Sequence, residues 1–325
     1  MIPKVSVIVP IYGVENYINK CAQSLLEQTL DGIEYIFIND CTPDKSMDIL
    51  QKMIENYPER KDFVKIINMS NNGGQALVRR IGVEAATGEY VINCDSDDWI
   101  DKGAYELLYD CAKNNSYDML FFDYFVTDGI VNMPISKNTN WNSSNSLIGE
   151  ILSGRIKGSL CFTLIKRELF NNQLFTFPKF NMTEDSTTLI QLLYLSKKIG
   201  HLNNCLYYYY TNPDSITRLI SKDKCFTRFN DCFGNTKLLE LFFSRLKIYG
   251  YENEMLMKQM DCISLLNPCL YSFKYYKIWK NAFPDLHVKI LKTNSIPLKM
   301  KFKHFITYLG LYPIWHLLKG YSFAK

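Results

Sequence analysis

This 325-residue sequence lacks several patterns that would place it in a well-defined class of protein. None of its ten cysteines stand in a Cys-x-x-Cys spacing, so free thiols in a reducing compartment are favoured over a disulfide framework or a zinc site. Its four histidines show no metal-ligand spacing, and we expect them to be structural. No basic segment with an apolar core and a cleavage site precedes the strand pattern at Val5, so we expect a cytoplasmic protein.

Acidic residues are missing after Asp285, where the chain still carries seven lysines. Removing those lysines from the net charge of +4 leaves a slightly acidic body and a basic tail, residues 286–325. No apolar run in this tail reaches the roughly 18 residues that a membrane-spanning helix needs. Residues 299–318 mix lysines with aromatic side chains. That mixture suits a segment on the anionic inner face of the cell membrane, and equally a helix docked on the rest of the chain.

Two further patterns are absent, and each absence argues against one class of binding protein. The first strand pattern is not followed by Gly-x-Gly-x-x-Gly, which argues against a dinucleotide-binding fold. Basic residues form no patch in the first half of the chain, so we expect no nucleic-acid partner.

What the first 100 residues contain is a regular alternation of apolar runs and helical patterns. The apolar runs predict strands at residues 5–11, 34–39, 64–69 and 90–92. The segments between them predict three helices: from residue 16 to about 28, from Asp44 as a cap to about Tyr57, and from Gln75 to Ala86 with Gly88 as C-cap. This order is typical of the α/β class with a mostly parallel, doubly wound sheet.

Polar side chains follow each of these strands, at Tyr12, Asp40, Asn71–Asn72 and Asp95–Asp98. The carboxyl ends of parallel strands lie at one edge of the sheet, where ligands bind. Two carboxylates spaced i, i+2, as in Asp95 and Asp97, can reach one hard cation and leave positions for phosphate oxygens. A solvated acidic turn is the simpler interpretation of these three acids taken alone.

The rest of the chain is less regular. Patterns predict a helix at 103–114, a strand at 117–126, a hairpin turn at Asp128-Gly129 and a polar loop at 136–146. A strand at 159–165, a loop at 177–185, a helix at 187–197 and a strand at 206–210 follow. We interpret Tyr207–Tyr210 as a half-buried strand rather than a sugar-binding platform. After residue 222 the pattern is helical.

Six short motifs stand in a fixed order along the chain. They are Val9-Pro10-Ile11-Tyr12 with Glu15 and Tyr17; Ile38-Asn39-Asp40 with Asp44 and Ser46; Asn72-Gly73-Gly74 with Arg79 and Gly82; Gly88-Glu89-Tyr90 to Asp95-Ser96-Asp97-Asp98-Trp99; Thr183-Glu184-Asp185; and Ser215-Ile216-Thr217-Arg218. Together they resemble the family 2 glycosyltransferases of the bacterial surface-polysaccharide type, an inverting group with the GT-A fold. The resemblance covers roughly residues 3 to 218 and implies a smaller acceptor-side sheet beside the parallel one.

The resemblance implies a role for each motif residue. A nucleoside pocket would be lined by Pro10, Ile11, Tyr12 and Glu15, with Tyr12 stacked on the base and Asp40 hydrogen-bonded to the base edge. Asn72, Gly73 and Arg79 would lie near the base and ribose-phosphate, and Asp95 with Ser96 would hold the ribose or donor sugar. Asp97, with Asp95, would bind Mg²⁺ or Mn²⁺ on the diphosphate. Asp185 would be the catalytic base, with Glu184 as the alternative. Thr163 stands where many members have a lysine.

The resemblance therefore implies a metal-dependent hexosyl- or N-acetylhexosaminyltransferase. Its donor would be a nucleotide sugar, UDP-linked by preference, and its acceptor a saccharide or lipid-linked saccharide in surface polysaccharide synthesis. A catalytically inactive sugar-nucleotide-binding scaffold and a metal-dependent phosphohydrolase remain as alternatives. Residues 1–218 would form the catalytic domain, with a nucleotide-binding half at 1–100 and an acceptor half at 101–218. Residues 219–325 would form a helical region.

Overall fold

The computed structural model describes residues 2–136, 139–141, 143–212, 222–294 and 296–312. Its strands form one sheet of nine. They are β1 (Val5–Ile11), β2 (Ile33–Asn39), β3 (Val64–Asn68), β4 (Tyr90–Asn93), β5 (Trp99–Ile100), β6 (Met119–Thr127), β7 (Asn132–Ile135), β8 (Thr163–Lys166) and β9 (Ile199–Tyr210).

The sheet is mixed, with the order β3-β2-β1-β4-β8-β6-β9-β5 and with β7 paired to β6. The first four strands are parallel, as predicted. Strand β8 is antiparallel to both β4 and β6, whereas β6 and β9 are parallel. The acceptor-half strands therefore continue the nucleotide-half sheet through the β4–β8 pair. The hairpin predicted at Asp128-Gly129 joins β6 to β7, with Gly129 at a φ of +97°.

The described helices lie between and after these strands. They are α1 (Ile18–Leu26), α2 (Ser46–Glu55), α3 (Gln75–Ala85), α4 (Ala104–Asn115), α5 (Ser144–Leu152), α6 (Glu184–Leu195), α7 (Lys222–Leu246), α8 (Glu252–Ser264), α9 (Phe273–Asn281), α10 (Leu286–Lys292) and α11 (Leu298–Tyr308). Short 3-10 turns occupy Pro58–Phe63, Leu160–Phe162, Arg167–Asn171 and Asn267–Cys269.

Strand β1 is the centre of the parallel half, paired to β2 on one side and β4 on the other. All of its residues except Pro10 are buried. A parallel strand covered by helices on both faces needs this nearly continuous apolar run, which is why the sequence predicted its position. The prediction for α1 is also confirmed, because its five buried residues are the five apolar positions of the predicted helical face: Ile18, Cys21, Ala22, Leu25 and Leu26.

The predicted role of Gly88 as the C-cap of α3 is wrong. Helix α3 ends at Ala85, and its C-cap is Ala86 in an extended conformation. Gly88 lies against β1, where a Cβ atom would stand 2.6 Å from Ser6 Oγ and 2.8 Å from Ser6 N. Close backbone approach, rather than a helix end, therefore requires glycine at this position.

Four other boundaries differ from the sequence patterns. The strand predicted at 159–165 begins only at Thr163, because Leu160–Phe162 form a 3-10 turn whose Cys161 N–H donates to Ser159 Oγ. Helix α6 begins at Glu184 instead of residue 187, and α5 begins inside the polar loop predicted at 136–146. Strand β9 begins at Ile199, well before residue 206, because its polar first half pairs with β6 through a bulge at Asp123.

The chain divides into two compact units, one of residues 1–151 with 156–215 and one of residues 152–155 with 216–325. The predicted domain boundary and the Ser215–Arg218 motif fall at or beside residues 213–221, which lie outside the described residues. In the ranges that the structure describes, no helix combines the length and the apolar character that crossing a membrane requires.

Candidate functional site

The acidic segment forms a tight turn directly after β4. Cys94 N–H still donates to Ile8 O of β1 at 2.9 Å, and Asp98 N–H donates back to Asp95 O at 3.0 Å. Asp95 and Asp97 are half-buried and Asp98 is buried. The end of β4 thus places three carboxyl groups at the sheet edge where the sequence predicted a site.

Strand β9 fixes this turn from the other side. The Tyr207 hydroxyl accepts from Asp95 N–H at 3.0 Å and donates to Asp98 Oδ2 at 2.7 Å. Tyr210 N–H donates to Asp98 Oδ1 at 2.7 Å. Asp98 therefore anchors the turn to β9 and is not available to a ligand. Residues 207–210 form the predicted half-buried strand, with Tyr207 fully buried.

The turn concentrates negative charge away from water. Burial raises the pKa of the Asp97 carboxyl, and the neighbouring Asp95 carboxylate raises it further. Burial also raises the pKa of Asp98 well above its usual range, with additional effects from Asp95 and Asp97. Asp97 Oδ2 accepts one hydrogen bond from Asn212 Nδ2 at 3.1 Å. A cation at this edge would relieve the repulsion among the three groups.

One buried arginine joins the turn to a distant helix. Arg79 of α3 donates through Nη2 to Asp95 Oδ1 at 2.8 Å and through Nη1 to Glu184 Oε1 at 2.7 Å. Nη1 also donates to Asp185 Oδ1. Burial lowers the pKa of the Arg79 guanidinium, but Asp95 and Glu184 more than offset that effect, so its pKa is raised overall. The sequence predicted Arg79 at the nucleotide, whereas its guanidinium lies among these three acids.

The two candidate bases begin α6 and differ in their surroundings. The Glu184 side chain is 9% exposed, compared with 19% for Asp185. Burial raises the pKa of Glu184, and the Arg79 guanidinium partly opposes this shift. The structure therefore brings Asp95 together with Glu184 and Asp185 around the Arg79 guanidinium, although Asp95 is far from the other two acids in sequence. Asp185 is the more accessible of the two candidate bases.

The predicted nucleoside residues cluster at the ends of β1 and β2. Both oxygens of the buried Asp40 carboxylate accept backbone hydrogen bonds, Oδ1 from Gly73 N–H at 2.6 Å and Oδ2 from Gly74 N–H at 3.0 Å. Asn72 Nδ2 donates to Asp40 O at 3.4 Å. Asp40 thus orders the loop before α3. The sequence predicted a contact between Asp40 and a nucleoside base but not this structural role.

The first motif is divided between surface and core. Tyr12 is 45% exposed, as a ring that stacks on a ligand needs to be, whereas Ile11 is fully buried in the apolar core. The Ile11 side chain packs in the apolar core, whereas the resemblance implied a place in the wall of the nucleoside pocket. Glu15 is exposed, and its Oε2 accepts from Lys45 N–H at 3.0 Å. Ser96 of the acidic turn is buried.

Two residues near the site carried no clear signal in the sequence. Lys157 lies with its Nζ 3.5 Å from the centre of the Tyr209 ring and interacts electrostatically with Asp95 and Asp98. Asn181 Oδ1 accepts from Ala76 N–H at 3.0 Å at the start of α3. Thr163 is fully buried and donates to Ser159 O at 3.2 Å. Lys157, rather than the residue at position 163, thus places a cation near the acids.

The donor atoms of the turn fit a small divalent cation. Among the described residues, no group of three or more His, Cys, Asp or Glu side chains is arranged to hold a metal ion. Mg²⁺ in nucleotide sites is commonly held by one or two carboxylates, with phosphate oxygens and water completing its shell. Asp95 and Asp97 supply hard oxygen ligands of that kind, and a cation would offset the burial and the Asp95 charge that raise the pKa of Asp97.

The known sequences that are similar to this chain include glycosyltransferases. A family model described as Glycosyl transferase family 2 matches residues 6–182. The chain is 31% identical over 226 residues to the uncharacterized glycosyltransferase EpsJ of Bacillus subtilis, a match that covers 67% of this chain and 64% of EpsJ. It is 28% identical over 226 residues to the glycosyltransferase GlyG of Streptococcus pneumoniae serotype 4, covering 66% of this chain and 73% of GlyG.

Comparison with solved structures identifies the fold. Residues 1–349 of TarS from S. aureus, solved in complex with UDP-GlcNAc, superpose with a TM-score of 0.63 at 19% sequence identity. The superposition covers 99% of this chain and 93% of that one. It confirms the predicted GT-A fold with a C-terminal helical region. Since the family model spans more than half of the sequence, this chain belongs to glycosyl transferase family 2.

Proposed function

We propose that this chain transfers a sugar from a nucleotide sugar, UDP-linked by preference, to a hydroxyl group of a saccharide or lipid-linked saccharide, with inversion at the anomeric carbon. The observation that carries the proposal is the Arg79 cluster. It places the acids at the start of α6 beside the acidic turn after β4. A transferase needs this arrangement, with one carboxylate for the acceptor and others beside the leaving diphosphate.

In the proposed reaction, the acceptor oxygen attacks the anomeric carbon as the bond to the diphosphate oxygen breaks with its electron pair. The Asp185 carboxylate takes the proton of the acceptor hydroxyl. Asp185 is preferred to Glu184 because its side chain is more exposed, and Glu184 holds Arg79 in place. Arg79 orients the base, and Tyr207 holds the acidic turn rigid.

Asp97 and Asp95 would hold Mg²⁺ or Mn²⁺ against the diphosphate. The cation would supply Lewis-acid stabilisation of the charge that develops on the leaving group. The acids that would bind it sit on a different segment from the proposed base, so the base can face the opposite side of the sugar. Tyr12, Asp40 and the loop at Asn72–Gly73 would receive the nucleoside.

The substrates follow from chemistry and from similar proteins. TarS was solved with UDP-GlcNAc, which supports a UDP-linked hexose or N-acetylhexosamine donor. A poly(ribitol-phosphate) beta-glucosyltransferase of Bacillus spizizenii is also similar, with 28% identity over 218 residues. We therefore place the reaction in surface polysaccharide synthesis on the cytoplasmic side of the membrane.

The proposal is tested by thermal shift and turnover with a panel of nucleotide sugars, with and without Mn²⁺. We expect a UDP-sugar with Mn²⁺ to raise the melting temperature, since a ligand that binds only the folded state stabilises it. Asp185→Asn should keep that shift but lose about 10²- to 10⁴-fold in kcat. Glu184→Gln is the matched control, and it should affect stability more than the chemical step.

The variant Asp97→Asn tests the proposed metal site independently of the proposed base. Without metal, this variant should melt higher than the wild type near neutral pH. A carboxyl whose pKa is raised by folding contributes stability only at low pH and loses it as the pH rises through the raised pKa. The variant should also lose the Mn²⁺-dependent shift.

If no nucleotide sugar shifts the melting temperature of the wild type, the transferase proposal fails. A shift without turnover would favour the scaffold.

A further inference from the structure

Helix α11 carries an apolar stripe that faces outward. Leu298, Phe302, Phe305 and Leu309 follow one another at the spacing i, i+4, i+7 and i+11, which places them on one side of the helix. Their exposed fractions are 83%, 61%, 43% and 52%. Scattered exposed apolar residues are ordinary, but a continuous stripe of four indicates an interaction surface.

Helix α11 packs against the neighbouring helices of its unit through its polar face. His304 and Thr307, on the opposite side, are the buried residues of this helix. His304 Nε2 lies 2.8 Å from His287 Nδ1 of α10, and its ring centre lies 5.1 Å from that of Trp279. An ordinary surface helix buries its apolar stripe and exposes its polar one. In α11 the apolar stripe is exposed, and His304 and Thr307 of the polar face are buried.

Helix α10 extends the same surface. Lys301 Nζ donates to Leu291 O at 3.1 Å, which brings the end of α10 beside the stripe. Leu291 and Val288 are 45% and 54% exposed. We call these apolar residues together the α10–α11 surface: Val288, Leu291, Leu298, Phe302, Phe305 and Leu309.

The charged side chains of α10 and α11 themselves are all lysines. The two helices carry the lysines at positions 289, 292, 299, 301 and 303, and no acidic residue follows Asp285 in the sequence. A second copy of this chain would bring two sets of lysines together, and like charges oppose that contact. An anionic bilayer offers the complementary charge together with an apolar layer beneath its headgroups.

We propose that the α10–α11 surface lies in the headgroup region of an anionic phospholipid bilayer, with α11 parallel to the membrane plane. The stripe enters the acyl boundary, and the lysines contact the lipid phosphates. The anionic surface attracts the lysines, and the apolar side chains add the free energy of their burial. Lipid binding through this surface does not depend on the transferase reaction, so each proposal can fail without the other.

The test is co-sedimentation of the full chain with vesicles of phosphatidylcholine alone and of phosphatidylcholine mixed with phosphatidylglycerol. We expect binding to the mixed vesicles only, weakened at high salt because the attraction is screened. The double variant Phe302→Gln/Phe305→Gln should bind at least about 10-fold more weakly, since it removes the two exposed rings that the bilayer would bury. Lys299→Gln/Lys303→Gln should weaken binding by about 10-fold or more.

Leu241→Gln/Tyr249→Gln is the matched control, because these residues are 69% and 77% exposed in the same unit but lie outside the α10–α11 surface. It should bind like the wild type, and circular dichroism should show all variants folded. Equal binding to neutral vesicles, or unchanged binding by the double phenylalanine variant, would overturn the proposal. So would a dimer in light scattering that this variant converts to a monomer, because the surface would then join two copies.

Discussion

At the scale of single residues, the site depends on hydrogen bonds that no motif contains. The Tyr207 hydroxyl accepts from Asp95 N–H and donates to Asp98 Oδ2. It therefore uses both its acceptor and its donor capacity to hold the turn that carries the acids. Arg79 has the same function for the proposed base, since it connects Asp185 with Asp95. The proposed metal ligands and the proposed base are thus positioned by neighbouring side chains and not only by the segments that carry them.

Tyr207→Phe should destabilise the protein by about 1–3 kcal/mol, because it leaves Asp95 N–H and the buried Asp98 carboxylate each without one partner. It should also lower kcat, since the acidic turn loses its anchor to β9. The measurement is denaturant unfolding together with turnover.

Tyr208→Phe is the control for this change. The Tyr208 hydroxyl donates to Asp101 Oδ1 at 3.0 Å, away from the acidic turn, and its residue is only half-buried. We expect a cost below about 1 kcal/mol and ordinary turnover. Equal effects of the two substitutions would mean that the Tyr207 hydroxyl does not hold the turn.

At the scale of elements, the pairing of α10 with α11 rests on two histidines. His287 Nε2 lies 2.8 Å from Lys280 O, so this nitrogen carries the proton and donates. The neutral His287 then accepts through Nδ1 from His304 Nε2–H. Burial lowers the pKa of His287, and burial together with His287 lowers the pKa of His304 to about 4. Both rings are therefore held neutral inside the helical unit.

The stability of α10 and α11 should consequently fall in mild acid. A base whose pKa is lowered by folding contributes stability that is complete above its ordinary pKa of 6.5 and is lost as the pH falls toward about 4. We expect a loss on the order of 2–3 kcal/mol over that window. Hydrogen exchange of the α10 and α11 amides, corrected for the intrinsic pH effect, measures it.

His304→Gln should flatten this pH dependence, because one of the two titrating rings is removed. Amides of the central strand β1 serve as the internal reference, since that strand contains no histidine. A variant that loses protection of α10 and α11 with the same pH profile as the wild type would show that another group controls the transition.

At the scale of the whole molecule, all ten cysteines are free thiols. Seven are buried, Cys111 and Cys205 are half-buried, and Cys41 is exposed. Burial raises the pKa of Cys111 and Cys205, which lowers their thiolate fraction and their reactivity. The chain is therefore stabilised by its core rather than by cross-links.

A thiol titration should thus resolve three classes. In the native protein without reductant, one thiol should react fast and two slowly, and the buried seven should react only on unfolding. Cys41→Ser should remove the fast class. Fewer than ten reactive thiols in denaturant would reveal a disulfide and contradict this distribution.

The sequence by itself determined the elements whose pattern is local. The apolar run of β1, the five-residue face of α1, the turn at Asp128-Gly129 and the acids at the end of β4 were all readable from neighbouring residues. Each depends on strand or helix periodicity or on turn chemistry, which act over a few positions. The ordered motifs added the family and the fold.

Only the tertiary structure decided which distant groups share an environment. It brought Arg79 to Glu184 and Asp185, gave Asp40 the backbone of Gly73 and Gly74, and made the polar first half of β9 a strand by pairing it with β6. It also turned the apolar stripe of α11 outward. These outcomes follow from charge compensation and hydrogen bonding between segments far apart in sequence, which no local pattern encodes.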